Sequence, residues 1–378
     1  MTAAVMVALI AALAAIGLVT SDNDSDEDQA SSGEPSVAAI ARGVERVRQL
    51  EFDHLPRVRH VTGAQARAFG TREFDREVTP EEVAAEERLL KLLRLLPEDS
   101  SLRSLLGKTL ATEVGGFYDP DSGTLSIVGD GGSGLLREIT LAHELTHGLE
   151  DQTFGLDTTA GAGFERDLGV AESALREGSA TVAMVDYVVL KQTGSARVPA
   201  ALRDPVLKAL GDTAVPASSG LPRYVREGLV FPYAAGAKLV NAIQDRGGWA
   251  AVDRAFGDDA PVSSEQVMHP AKYFAHERPE RIRVPAPRGS ELVQQGDFGE
   301  FDTGQLLLEG NPRPLAEAAA AGWGGGGYAL WRRGDRYGLT TRWTWDSAAD
   351  AAEFARALRR TAQRLGGRAS GSMLTISG

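Results

Sequence analysis

The segment at residues 135–152 most constrains how this chain can fold, because it combines a helical pattern of apolar residues with two histidines. Within it, His143, Glu144 and His147 form the pattern HExxH. Residues four apart share one face of a helix, so both imidazoles point the same way and Glu144 lies beside them. The apolar neighbours predict a buried helix, in which an imidazole without a partner is costly. The sequence therefore predicts one shared partner for both histidines.

The composition leaves histidines and carboxylates as the strong metal ligands of this chain. There is no cysteine, which excludes disulfides, thiolate metal sites and a cysteine nucleophile. HExxH on a helix is typical of sites where two histidines bind zinc and the glutamate acts on the zinc-bound water. Zinc lowers the pKa of its bound water to about 7. The glutamate takes a proton from this water and delivers it to the leaving amine. We predict Zn²⁺ as cofactor, His143 and His147 as ligands, and Glu144 as general base.

A catalytic zinc site needs a third protein ligand. The extended pattern HExxHxxGxxH is excluded, because Glu150 and Thr153 stand where glycine and histidine are required. A carboxylate from a second helix is then expected. The downstream candidates are Glu165, Glu172, Glu177 and Glu227.

Helical phase separates the two best candidates. Glu177 shares its helix face with Ala174 and Met184, so its carboxylate would be buried and would need a partner. Glu172 stands one turn before Arg176, a spacing typical of a surface ion pair. The small residues that follow Glu177 would let this helix pack closely on the HExxH helix. We predict Glu177 as the third ligand, with Glu172 as the alternative.

These stretches resemble a known group of metallopeptidases. Residues 143–152 and 174–180 resemble the glutamate-zincins. More narrowly, they look like uncharacterised exported bacterial proteins with segments AHELTHALQDQ and ALVEGDA. The similarity continues at residues 231–233 and 264–270, and it covers most of residues 110–285.

The resemblance implies a mainly helical zincin-like core with the ligands and base predicted above. Ser179 is a departure, because that group often has Asp at this position. If that Asp steadies a ligand histidine, its role here falls to another residue, such as Glu172 or Asp151, or is lost.

A β-hairpin is predicted before the HExxH helix, with strands at residues 114–118 and 124–128 joined by a turn. The fold of such peptidases implies an edge strand beside the zinc, to which an extended peptide adds as a further strand. Gly116, Phe117 and Tyr118 are the predicted substrate-binding residues. A purely structural hairpin is the alternative.

Hydrolysis of this kind also needs a hydrogen-bond donor to the oxyanion. His269, in a Met-His-Pro turn, is the predicted donor and second catalytic residue. Tyr118 and Tyr233 are the alternatives. A turn residue without a catalytic role is the other interpretation of His269.

The remaining sequence predicts four regions and an α+β fold. Residues 1–20 are apolar and indicate a signal peptide or a membrane anchor, followed by a disordered acidic linker at 21–36. Residues 37–285 form the predicted metallopeptidase domain, and residues 286–378 form a small C-terminal α+β unit. The predicted location is extracytoplasmic, either anchored by the N-terminal helix or secreted. Periodicity predicts helices at 37–50, 79–96, 135–152, 172–190, 230–246 and 348–365, and C-terminal strands at 328–331, 337–345 and 370–376.

The C-terminal unit contains four tryptophans, at positions 323, 331, 343 and 345. On paired strands such residues predict cross-strand core packing, with a binding groove as the alternative.

The charge and the motif together limit the function. A net charge of −12 and the lack of a basic stripe with interleaved aromatics exclude nucleic-acid binding. The main prediction is a zinc-dependent hydrolase, a peptidase that acts on a peptide or protein substrate. The alternatives are an inactive zinc-binding scaffold of the cell envelope and a zinc amidase that acts on cell-wall peptides.

Overall fold

The fold is α+β, as predicted, and most of the described residues are helical. The computed structural model describes residues 35–105, 107, 115–129, 134–155, 166–199, 201–203, 205 and 220–377. Two small sheets and two main hydrophobic cores organise these residues.

Most elements before residue 285 are helices. In chain order they are α1 (Val37–Arg48), β1 (Arg57–Val61), α2 (Gly63–Glu77), α3 (Pro80–Leu92), β2 (Gly116–Asp119), β3 (Thr124–Val128), α4 (Gly134–Phe154), α5 (Arg166–Thr193), α6 (Arg223–Ala255), α7 (Ser264–Met268) and α8 (Pro270–Phe274).

The elements after residue 285 form a second, mixed unit. They are β4 (Glu291–Asp297), α9 (Glu300–Leu307), α10 (Arg313–Ala320), β5 (Trp323–Arg333), β6 (Arg336–Trp345), α11 (Ala348–Leu365), β7 (Arg368–Ser370) and β8 (Met373–Ser377).

Helix α3 begins where its sequence predicts. Thr79 Oγ1 accepts a hydrogen bond from the Glu82 backbone N–H, and the Glu82 carboxylate accepts one from the Thr79 N–H at 2.8 Å, so the capping box is complete. Pro80 occupies the first turn. The helix ends at Leu92, four residues before the predicted end, because Arg94 adopts a left-handed backbone conformation.

The first core lies between α1, α4, α5 and α6. Of the small residues after Glu177, Ser179 faces α4, as predicted, whereas Gly178 faces α6. A Cβ atom on Gly178 would overlap the backbone of Gly236, and one on Gly236 would overlap the Ala174 carbonyl oxygen. The backbones of α5 and α6 are therefore in direct contact at these two glycines.

A three-stranded sheet lies beside this core, in the order β1-β3-β2. The predicted hairpin of β2 and β3 is present and antiparallel, with Gly116 opposite Ile127. Strand β1 pairs in parallel with β3 on the other side. Within the part of the chain that the structure describes, β2 is thus an edge strand.

The second core belongs to a five-stranded antiparallel sheet in the order β4-β5-β6-β8-β7. Trp323 and Trp343 are buried in it, and the Trp345 ring packs 4.3 Å from that of Phe354. Trp331 is buried outside this core, against its cross-strand partner Gly338 of β6. These contacts confirm the predicted core packing of the tryptophans. Helix α3 also contributes buried leucines to this core, although its sequence lies in the predicted metallopeptidase domain.

The two units meet at a seam that joins the first turn of α5 to the C-terminal sheet. Asp297 Oδ1, at the end of β4, accepts a hydrogen bond of 3.0 Å from the Asp167 backbone N–H. Arg166 forms ion pairs with Glu86 of α3 at 2.5 Å and with Asp302 of α9 at 3.2 Å. The start of the helix that carries Glu177 is therefore fixed by the C-terminal unit.

The prediction of a transmembrane helix is not supported by the fold. No helix among the residues that the structure describes is long and apolar enough to cross a bilayer, so for this part of the chain the prediction is wrong. The segment at residues 1–20 on which it rested lies outside the described residues. So does the predicted linker at 21–36, except for its last two residues, of which Ser36 caps α1.

Candidate metal centre

Three potential ligand atoms converge between α4 and α5. His143 and His147 project from α4, and Glu177 projects from α5. Glu177 Oε2 lies 3.1 Å from His143 Nε2 and 3.6 Å from His147 Nε2. The two Nε2 atoms are 3.1 Å apart. The structure thus brings together the three residues predicted as ligands.

The spacing of these atoms fits a zinc ion. A tetrahedral zinc site with bonds of 2.0–2.1 Å places its ligand atoms about 3.3 Å apart. The three observed separations of 3.1, 3.1 and 3.6 Å bracket that value. Two imidazole nitrogens and one carboxylate oxygen are also a ligand set of catalytic zinc sites, which use three protein ligands.

Burial and charge give His143 and Glu177 the protonation states that a metal ion requires, whereas His147 would release a proton on binding one. Burial lowers the pKa of His143, whose side chain is fully inaccessible, so the imidazole is neutral. Burial alone would raise the pKa of Glu177, but the charge of His147 and hydrogen bonds with both histidines hold it well below its usual range. Burial also opposes the charged form of His147, yet the neighbouring Glu177 carboxylate raises its pKa.

Glu144 lies between the ligands and the edge strand. Its side chain is buried on α4. A Cβ atom on Gly116 would come within 3.3 Å of Glu144 Cγ and 3.2 Å of Thr140 Cγ2. Glycine therefore allows β2 to pass next to the predicted base.

The side chains of the predicted substrate-binding residues have partners within the fold. Phe117 stacks on Phe69 of α2, with ring centroids 4.7 Å apart. The Tyr118 hydroxyl donates a hydrogen bond of 3.0 Å to Asp151. What β2 offers beside Glu144 is therefore its backbone edge.

Tyr233, an alternative to His269 as the predicted oxyanion donor, lies at the ligand cluster. Its ring on α6 packs over His143, with centroids 6.0 Å apart, and its hydroxyl lies near the Glu177 carboxylate. Burial and the Glu177 charge raise the pKa of Tyr233 well above its usual value, so the hydroxyl keeps its proton. His269 instead contacts Glu300 of α9 at 2.9 Å, and none of its described contacts is with the cluster.

Among the described residues, the other candidates for the third ligand lie outside the cluster. Glu227 pairs with Arg313 at 2.6 Å and accepts a hydrogen bond from Gln305. Glu172 does not belong to the group of converging ligand atoms. Glu165 lies outside the described residues.

A buried ion pair lies directly behind the cluster, and sequence reasoning missed it. Glu150, three residues after His147, accepts a hydrogen bond from Ser179 Oγ at 2.5 Å and one from Arg48 Nε at 2.8 Å. The partner of Ser179 is thus Glu150. The sequence offered Glu172 or Asp151 for a different role, which is to steady a ligand histidine in place of an Asp at position 179. The pairing with Arg48 spans 102 residues, and no local pattern signals it.

A second group of acids has the spacing of a metal site but already holds a cation. Glu265, Glu277 and Asp346 converge among the described residues. Lys272 Nζ lies 2.5 Å from Glu265, 2.7 Å from Glu277 and 2.5 Å from Asp346. The ammonium group therefore balances these carboxylates, and the group ties α8 to the C-terminal unit.

A pocket of about 300 Å³ lies at the seam, away from the ligand cluster. Its walls include Asp167, Asp297, Ile282 and Trp323. Both carboxylates accept backbone hydrogen bonds, Asp297 from the Asp167 N–H and Asp167 from the Ser264 N–H. Both carboxylates are therefore accounted for as structural acceptors.

Comparison with known proteins reaches only the C-terminal unit. Residues 288–377 match a family described as a domain of unknown function, DUF8575. This range begins two residues after the predicted boundary at 286 and includes neither α4 nor α5. Curated proteins and solved structures give no match. The resemblance to glutamate-zincins therefore stays a prediction.

Proposed function

We propose that this protein is a zinc-dependent hydrolase that cleaves peptide bonds, with a zincin-like core formed by α4, α5 and the three-stranded sheet. The observation that carries the proposal is the convergence of His143, His147 and Glu177 at separations suited to tetrahedral zinc. The position of Glu144 on the same helix, beside an edge strand, supports peptide-bond hydrolysis in particular.

Each residue of the centre has one role in this proposal. His143, His147 and Glu177 hold the ion, which when bound lowers the pKa of water and polarises a carbonyl group. Glu144 takes the proton of the attacking water and gives it to the leaving nitrogen. The protonated Tyr233 hydroxyl donates a hydrogen bond to the oxyanion.

The edge strand supplies the binding mode for the substrate. An extended peptide alongside β2 would form backbone hydrogen bonds, which recognise the main chain with little preference for side chains. Gly116 brings this edge into van der Waals range of Glu144, so a bound peptide bond would lie near the base.

The first experiment measures zinc content and hydrolysis of the full chain. We expect about one zinc per chain after dialysis without added metal. Glu144→Gln should keep its zinc and lose about 10²- to 10⁴-fold in peptide hydrolysis, because only the base is removed. Unchanged hydrolysis in this variant would sink the proposal.

A matched pair of variants tests the third ligand. Glu177→Gln should lose most of its zinc, whereas Glu172→Gln, the same change on the same helix, should keep it. The opposite result would transfer the ligand role to Glu172. Zinc retention without cleavage of any peptide would leave the inactive scaffold, and cleavage of cell-wall peptides alone would favour the amidase.

A further inference from the structure

We propose that Glu150 is a positioning residue of the metal centre, which locks the two ligand helices together and places a negative charge behind His147. This inference rests on the proposed zinc site. It concerns a residue outside the HExxH motif and outside the ligand set.

The hydrogen bond between Ser179 and Glu150 joins the ligand helices next to their ligands. Glu150 follows His147 by three residues, less than one turn of α4, and Ser179 follows Glu177 by two residues on α5. Ser179 Oγ donates to Glu150 Oε1 at 2.5 Å. A shift of α5 along α4 would break this bond and change the distance from Glu177 to both histidines.

Arg48 extends the lock to the other two helices of the first core. Its Nε donates to Glu150 at 2.8 Å, and its Nη2 donates to Asp253 of α6 at 2.9 Å. Its guanidinium also stacks 4.1 Å from the Trp249 ring centroid. Arg48, on α1, therefore contacts α4 and α6 directly and is connected to α5 through Glu150 and Ser179. The arginine is fully inaccessible to solvent.

The charge of Glu150 is only partly compensated by these contacts, since burial raises the pKa of Glu150 although Arg48, Ser179 and the nearby His147 oppose that rise. Glu150 Oε2 and Arg48 Nη1 are both buried without a hydrogen-bond partner among the described residues. The same arginine is shared with Asp253. A buried carboxylate with incomplete compensation acts over a longer range than one in water, because the local dielectric constant is low. Its negative charge behind His147 would strengthen the hold of this ligand on a cation.

Glu138 provides a matched control for a merely structural role. It is also a buried carboxylate of α4, and it binds the Tyr187 hydroxyl and Lys191 Nζ of α5. It connects the same two helices as Glu150 does, but it precedes His143 by five residues. If Glu150 only holds α4 and α5 together, removal of the charge of either carboxylate should weaken zinc binding equally. If Glu150 positions the metal centre, only its own variant should affect zinc binding.

The test compares Glu150→Gln and Glu138→Gln in the full chain. Zinc affinity is measured by competition with a chromophoric chelator, and ligand geometry by the visible spectrum of the Co²⁺-loaded protein. We expect Glu150→Gln to bind zinc about 10- to 100-fold more weakly, with a shifted Co²⁺ spectrum. Glu138→Gln should stay within about twofold of the unmodified chain in zinc affinity, with an unchanged spectrum. Equal zinc affinities in the two variants would overturn the inference.

Ser179→Ala keeps the test valid if Glu150→Gln does not fold. This variant removes no buried charge, so the chain should still fold. It loses the hydrogen bond to Glu150, so it should bind zinc several-fold more weakly. An unchanged Co²⁺ spectrum and zinc affinity in this variant would contradict the proposed lock. Failure of the unmodified chain to bind zinc would instead overturn the proposed function, so the two failures are distinguishable.

Discussion

The two cores of this protein differ in what they bury. The first core contains buried titratable side chains, with Arg48, Glu144 and Glu150 around the ligand cluster and Glu138 nearer the start of α4. The second core is apolar and aromatic. Its buried Asn311 bonds to backbone carbonyls, and its buried acids Glu300 and Asp302 face the seam.

This difference separates stability from function. A core of aliphatic and aromatic groups stabilises a fold by burial of apolar surface, as in the C-terminal unit, whose buried acids pair with His269 and Arg166 at its boundary with the first unit. Buried charges are costly, and in the first core they cluster around the atoms that could hold a metal ion. Variants in the two cores should therefore have different consequences.

The largest expected effect is a cavity in the second core. Phe354 is fully buried, and its ring lies 4.9 Å from that of Trp343. Phe354→Ala should lower the free energy of unfolding by about 4 kcal/mol, because both the transfer energy and the packing contacts are lost. Urea unfolding measures this loss. Phe354→Leu fills part of the cavity and should cost less than half as much.

The same variant sharpens the comparison through its zinc affinity. Where Phe354→Ala is still folded, its affinity for zinc should equal that of the unmodified chain, because the ligand cluster belongs to the other core. A weaker affinity under these conditions would show that the two cores are not independent in function.

The next effect comes from the contact between α5 and α6. Gly236→Ala should cost about 3 kcal/mol of unfolding free energy, because its new methyl group would overlap the Ala174 carbonyl and force the helices apart. Gly228→Ala on the same helix meets no atom within 4 Å and should be neutral or slightly stabilising. Similar values for both variants in urea unfolding would contradict the close contact.

A smaller effect is expected at the tie between α8 and the C-terminal unit. Lys272→Met leaves the buried Glu265 carboxylate without its cation. It should lower the free energy of unfolding by about 2 kcal/mol, less than for a fully buried pair because Lys272 is partly exposed. Arg332→Met removes an exposed ion pair with Glu291 and should cause no measurable change. Chemical denaturation of both variants at two salt concentrations distinguishes the buried tie from surface attraction.

The remaining effect is a change in pH dependence, which concerns how stability varies with pH and not its value at one pH. Burial raises the pKa of Asp167 from 3.8 to about 8. The folded state therefore keeps a proton that the unfolded state releases above pH 3.8, so this group's stabilising contribution falls as the pH rises from about 4 to about 8. Asp167→Asn removes that contribution and should lose less stability between pH 5 and pH 8. Urea unfolding at pH 5 and at pH 8 measures this loss for both proteins. An equal loss of unfolding free energy in the unmodified chain and in Asp167→Asn would contradict the raised pKa.

The sequence predicted elements well where local signals dominate. Helix α11 has its predicted bounds, because Ser347 caps its start and the left-handed Gly366 ends it. Strand β5 begins at Trp323, five residues before the predicted start, because its run of four glycines has low strand propensity. The strand needs these glycines because residues 280–282 pack directly on it. Cβ atoms at Gly325 and Gly327 would overlap the carbonyl oxygens of Glu280 and Ile282.

In the candidate site, too, the residues with local sequence signals were predicted and those that depend on tertiary contacts were not. His143, Glu144 and His147 follow from one motif, and Glu177 follows from helical phase. Arg48 comes from a helix near the start of the described chain, so neither motif nor phase connects it with the centre. Long-range partners of this kind need the fold itself.

The hydrogen bond from the Asp167 N–H to Asp297 also bears on when α5 can complete its folding during synthesis. A ribosome that has released residues up to 285 has already delivered every candidate ligand of the metal centre. The first turn of α5 obtains its acceptor only when Asp297 has left the exit tunnel, about 120 residues after Glu177 at 5–20 residues per second. Completion of the ligand helix is therefore coupled to the synthesis of the last quarter of the chain.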